Sequence, residues 1–266
     1  MSTIILLILI VYCIFYIINF YFFKFKNINN KKLDVAVIVE PRKDIILIKV
    51  LKNYLKLLPQ NTKIHIFHGI DNEKFILDNF NQEIFKNKII MTNMKVKNLT
   101  IHEYNLLLTS TDFYNKINGE NILIFQMDTC LCSKSLYKIE DFLDYDYVGS
   151  PWINQDSFKY RNLEDKVIHE KLENKIGNGG LSFRKKSKMI QHIKTNKYNG
   201  EPEDIYFSKS KILKFPTIIE ASNFSTEYLV NPNSYGIHRS HKILKKNQIN
   251  ILRNTCPEFN IFFNKN

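Results

Sequence analysis

Residues 2–23 carry no charged side chain, and the stretch from Ile4 to Ile18 is almost wholly aliphatic or aromatic. A helix of about 20 residues spans a hydrocarbon core ~30 Å thick. Residues 1–23 are therefore expected to form a single transmembrane anchor. A cleaved signal peptide is the rival. It would want a basic start and small residues at a cleavage site, yet no Lys or Arg precedes Lys24 and no Ala or Gly precedes Ala36. Residues 24–33 follow as a polar stalk with Lys24, Lys26, Lys31 and Lys32 and no acid before Asp34. The positive-inside bias would put the body on the cytoplasmic side of a single-pass membrane protein. As a bias it leaves the side open.

From residue 34 the pattern changes to alternating strands and helices. Asp34–Glu40 is a continuous apolar run stopped by Pro41, the signature of a strand buried on both faces. Asp44 can cap a helix over 45–58, closed by Pro59. Further strands are expected over 63–69, 88–92 and 121–126, and helices over 71–80, 101–108 and 205–213. This order implies an α/β domain over 34–266, Rossmann-like, with a mostly parallel central sheet flanked by helices. No internal repeat or low-complexity linker divides it.

Charge changes this picture little. The chain has 38 Lys+Arg against 26 Asp+Glu, a formal net charge of +12. Its 31 Asn, two Ala and abundant Lys and Ile point to an AT-rich coding bias, which weakens any argument from basicity. The basic residues are also spread out, so nucleic acid is not an expected partner. Cysteine is equally quiet. Cys130 and Cys132 are two apart on a strand-like segment and share a face, Cys256 stands alone, and no CxxC pair exists. Small buried hydrophobes are the expectation, rather than a zinc knuckle or redox centre.

In open α/β sheets ligands gather at the carboxyl ends of the strands. The polar residues there are Glu40-Pro41-Arg42, His68-Gly69, Thr92-Asn93 and Gln126-Met127-Asp128. Asp128 is the sharpest, a lone carboxylate delivered by a hydrophobic strand. Four later segments also stand out: 144–152, with the only Trp; 177–184, with three glycines in four residues; Glu201-Pro202-Glu203-Asp204 before a helix; and 235–242, with two His and two cations. Clustered glycines let backbone approach a ligand closely.

The order of these segments resembles the glycosyltransferase A fold, and more closely an uncharacterised family of small glycosyltransferase-like domains, over about residues 34–243. The resemblance implies a nucleotide-sugar donor bound by Val39, Glu40 and Arg42. It implies a divalent metal, Mn²⁺ or Mg²⁺, on Asp128 and His238, and a donor and acceptor cleft shaped by Gly179 and Gly180. Glu203 and Asp204 would meet a glycan, protein or lipid acceptor. One departure is plain: where the family has Asp-x-Asp this chain has Gln126-Met127-Asp128. Gln126 can hydrogen-bond a ribose or a metal-bound water but brings no charge. Asp204 or Glu203 is the candidate base for the acceptor hydroxyl, since two adjacent acids repel and one pKa rises.

Each residue has a blander counterpart. Asp128 could cap a helix, the glycines could serve a turn, and Glu203 and Asp204 suit a first helical turn. Glu40 and Arg42 could form a salt bridge, Trp152 could be core, and His65 and His68 could pack in the sheet. The alternative function is a catalytically inactive relative acting as a membrane-tethered binding protein, which Gln126 favours.

Overall fold

Val35–Glu40 (β1) is buried along its whole length and shows why its sequence is an unbroken apolar run. Val35, Val37 and Val39 enter one hydrophobic layer with Ile122, Ile124, Phe113 and Met189. Ala36 and Ile38 enter the opposite layer with Leu47, Leu51, Ile64 and Ile66. Each fully buried Val contributes roughly 1.5–3 kcal/mol over its exposed state, so both faces of this strand are fixed. The structure, a computed structural model, describes residues 31–152 and 174–263.

The central sheet adds Lys63–His68 (β2), Ile89–Asn93 (β3) and Asn121–Phe125 (β4) in parallel to β1. Tyr147–Pro151 (β6) and Ile176–Lys185 (β7) complete it in the order β3-β2-β1-β4-β7-β6. Both contacts of β7, to β4 and to β6, are antiparallel. The domain is thus mixed α/β around a parallel-rich sheet. The glycine segment expected to shape the cleft lies within β7. Thr129–Leu131 (β5), Ser225–Thr226 (β8) and Gly236–His238 (β9) form a second sheet, β5-β9-β8, that the sequence did not announce.

Helix Ile45–Leu57 starts where expected, with Asp44 accepting a 2.8 Å hydrogen bond from the Ile46 amide. Helix Ile101–Leu108 coincides with its expected span. Helix Glu203–Ser208 is shorter than the expected 205–213. Beyond it the chain turns so that the Lys214 carbonyl accepts from the Asp146 amide at 2.8 Å, while the Lys214 amide donates to the Asp146 side chain at 3.0 Å.

Cys256 does not stand alone. It caps helix Lys246–Thr255 and forms a disulfide with Cys132, 124 residues away and just past β5. A pairing over that separation leaves no local spacing motif. Cys130 is a buried thiol, as expected. The apolar run 2–23 and most of the stalk lie outside the described residues. One compact unit begins at Leu33, and among the described residues no helix is long and apolar enough to cross a membrane.

Candidate functional site

The register of the two sheets builds the site. Phe125 pairs with Leu181, so Gly179 and Gly180 continue β7 past the ladder, beside the chain leaving β4 at Gln126. Thr129 of β5 pairs with His238 of β9, which sets Asp128 beside the end of β9. The amide of Arg239 donates to the Asp128 carbonyl at 2.8 Å. Arg239 adopts φ 52° there, a left-handed conformation costing about 1–3 kcal/mol for a non-glycine residue. All ten sequence-nominated site residues line one cavity of about 710 Å³ at the carboxyl edge of β1 and β4.

His238 is buried, with its two nitrogens facing two carboxylates. Nε2 lies 3.6 Å from Asp128 Oδ1 and Nδ1 lies 3.5 Å from Glu227 Oε1. Burial opposes its charged form, but Glu227 and Asp128 overcome this and raise its pKa to about 10. Lys242 Nζ donates to Asp128 Oδ2 at 2.9 Å. Burial alone would raise the Asp128 pKa, yet His238 and Lys242 draw it well below the ordinary carboxylate range. Asn178 Nδ2 donates to Glu227 Oε2 and holds that carboxylate in place. Sequence reading missed Glu227; Asn178 and Lys242 lie within singled-out segments, 177–184 and 235–242, but were given no role. Glu227 carries no motif and reaches the site through tertiary packing.

The two glycines are required by close approach. A Cβ on Gly180 would collide with the His238 imidazole, and one on Gly179 with Glu203 Oε1. Glu203 is in turn engaged by Arg184, a fully buried guanidinium. Arg184 pairs with Glu203 Oε2 at 2.8 Å and donates to Oε1 at 3.0 Å. It also donates to Ser182 Oγ at 2.9 Å and to the Tyr114 hydroxyl at 3.2 Å. Removing one partner strands the other charge in the interior. Glu203→Ala should therefore lose about 3–5 kcal/mol of stability, measured by urea unfolding. A loss below 1 kcal/mol would show that water reaches Arg184.

Asp204, one residue on, has a different environment. It accepts from the Ile205 amide at 2.9 Å and the Gly179 amide at 3.4 Å. Burial, then the neighbouring Glu203, raises its pKa to about 7 against those two donors. Arg42 grips Glu40 with two 2.8 Å hydrogen bonds, from Nε and Nη2, while remaining half-exposed at the cavity. Asn72, fully buried, ties this corner down by donating to the carbonyls of Glu40 and Arg42. Gln126 Nε2 donates to the Tyr104 hydroxyl at 3.1 Å. His65 stacks on Phe67 in the sheet, and Trp152 is buried against Ile205 and Tyr228. His241 stacks on Phe262, with ring centroids 4.5 Å apart.

Asp128 and His238 suit a hard divalent ion. Their facing oxygen and nitrogen are separated by a distance that two ligands, each about 2.1 Å from one ion, can span. Glu227 on the far nitrogen is the outer partner that a metal-binding imidazole usually has.

Fold and site together define a mixed α/β protein with a polar, carboxylate-lined cavity at the carboxyl edge of its parallel strands. A profile of DUF5672, described as a protein of unknown function, matches residues 85–240, and the chain belongs to that family. The chain matches no curated protein by sequence. In structure it is similar to the mannosyltransferase PcManGT from Pyrobaculum calidifontis, solved with GDP-Man and Mn²⁺: TM-score 0.44, 13% identity, covering 75% of this chain and 62% of that one. It is also similar to apo glycosyltransferase GlyE from Streptococcus pneumoniae: TM-score 0.44, 9% identity, covering 81% and 56%. The chain thus spans less than two thirds of either structure.

Proposed function

We propose that the chain is a membrane-anchored glycosyltransferase, moving a sugar from a nucleotide-sugar donor to a hydroxyl of a glycan, protein or lipid acceptor. The observation that carries this is convergence. Asp128, His238, Gly179, Gly180 and Asp204, spread over some 110 residues of sequence, line the same 710 Å³ cavity. That volume suits a ligand larger than a single sugar.

In this reading Asp128 and His238 hold a divalent ion, which supplies positive charge to the leaving diphosphate. Arg42, Arg239 and Lys242, all at the cavity, add cations at the same end. Lys242 is half-exposed on a flexible stem, so it can turn from Asp128 to a phosphate oxygen. Gly179 and Gly180 let Glu203 and His238 pack against bare backbone at the cavity wall. Glu203 is committed to Arg184, which leaves Asp204 to accept the proton of the acceptor hydroxyl at one of its carboxylate oxygens. Glu227 acts through His238: Glu227→Gln should weaken Mn²⁺ binding about 10–100-fold, read by manganese paramagnetic resonance. Unchanged affinity would remove it from the site.

Gln126 favours a second reading, an inactive relative that binds nucleotide without transfer, because it brings an uncharged amide where a carboxylate is expected. The test is a thermal-shift panel of nucleoside diphosphates with and without Mn²⁺, followed by mass spectrometry of nucleotide sugars incubated with the protein. Stabilisation by one nucleoside diphosphate together with its release from the donor supports transfer. Stabilisation without release supports the binding protein, and no stabilisation by any nucleotide overturns both.

A further inference from the structure

The disulfide accounts for only two of three sulfurs. Cys130, Cys132 and Cys256 have their Sγ atoms all within 4.8 Å of one another. Cys130 is a fully buried thiol beside the bridge. Glu258 places Oε2 3.8 Å from the Cys256 sulfur, and the same oxygen accepts from the Ser133 amide at 3.2 Å, so it is oriented toward the cluster. A structural disulfide needs neither the third sulfur nor the carboxylate. Three thiolates and one carboxylate oxygen are instead a complete tetrahedral donor set for Zn²⁺. Two thiolates each about 2.3 Å from a tetrahedral ion stand roughly 3.8 Å apart, a separation within the spread of this cluster. The lysine-rich segment 24–32 biases the body toward the cytoplasmic side, where disulfides are rare.

We propose that in its reduced form the chain holds one Zn²⁺ on Cys130, Cys132 and Cys256, with Glu258 as the fourth ligand. Reduction by a phosphine or a dithiol delivers two electrons and two protons to the Cys132–Cys256 bond and gives two thiols. Each of the three thiols then releases its proton to solvent as its sulfur bonds the ion. Oxidation by a small-molecule disulfide reverses this: the Cys132 and Cys256 sulfurs couple, two electrons pass to the oxidant and leave it as two thiols, Cys130 regains a proton from solvent, and the ion leaves. Bridge and ion are thus alternative fasteners of one joint, between the end of β5 and the C-terminal helical segment. Asp128 lies one residue before β5, and Phe262 of that segment lines the cavity.

The test uses the full-length chain. Purified under a phosphine reductant, it should carry one equivalent of zinc by elemental analysis. Substitution with Co²⁺ should give sulfur-to-cobalt absorption, which an oxygen and nitrogen site in the cavity cannot produce. Cys130→Ser should weaken Co²⁺ binding by more than the ~100-fold that loss of an outer-shell partner costs, while the Cys132–Cys256 bridge still forms under oxidising conditions. Should Cys130→Ser fail to fold, alkylation of the wild-type chain decides: Zn²⁺ should shield all three cysteines together. Absence of sulfur-to-cobalt absorption, equal zinc uptake by the oxidised and reduced chains, or three thiols that alkylate at the same rate with and without Zn²⁺ would each overturn the site.

Discussion

Asp128→Asn should reduce sugar transfer about 10³-fold, the scale of losing one preorganised charge-stabilising group, and should abolish Mn²⁺-dependent stabilisation by nucleoside diphosphate. The amide keeps the shape of the carboxylate and can still accept from Lys242, so what disappears is negative charge facing His238. The fold should survive, because the pairing of Thr129 with His238 and the Arg239 bond to Asp128 are made by backbone. A stability change is nevertheless expected, and its sign follows from the lowered pKa. A carboxyl held below its unfolded value contributes stability above the ordinary carboxylate range and loses it as pH falls toward the folded value. The variant should therefore be less stable than the parent at neutral pH, and the gap should narrow in acid. Circular dichroism, urea unfolding and donor turnover on one preparation separate these effects. Full metal-dependent stabilisation in a folded Asp128→Asn protein would falsify the metal role.

That the residues nominated from the sequence line one cavity has a topological reason. Parallel strands deliver their carboxyl ends to one edge, so Glu40, Arg42 and Asp128 could be nominated from strand endings alone. Gly179, Gly180 and His238 needed the order of segments, since β7 runs antiparallel and β9 belongs to a second sheet. What stayed hidden reaches the site through tertiary packing. Glu227 meets His238 from beyond β8, Arg184 meets Glu203 across the interior, and Cys256 meets Cys132 from the far end of the chain. None of these pairs has a spacing that a linear pattern can hold. Adjacent acids were expected to differ in pKa by mutual repulsion. In the structure burial is the larger cause for Asp204, the neighbouring Glu203 the second, while Glu203 itself is held in an ion pair by Arg184.

Asp204→Asn should lower transfer about 10²–10⁴-fold, the range for loss of a positioned base, with little effect on nucleotide binding. The pH profile should also change. A base must be deprotonated, so wild-type activity should rise as pH increases through about 7, where burial and Glu203 place the Asp204 pKa. Residual activity of the variant should lack that limb. Stability should move the other way. A carboxyl whose folded pKa is raised binds more protons folded than unfolded between about 4 and 7, so its contribution is full below the unfolded pKa and is lost as pH rises through the folded one. The wild-type chain should lose stability across that interval as Asp204 ionises in its buried position, and Asp204→Asn, which has no proton to lose, should lose less. Activity and stability thus depend on one ionisation with opposite signs. An activity limb near pH 7 that persists in the variant would move the base elsewhere, while a missing stability difference would mean that water solvates Asp204 before the acceptor arrives.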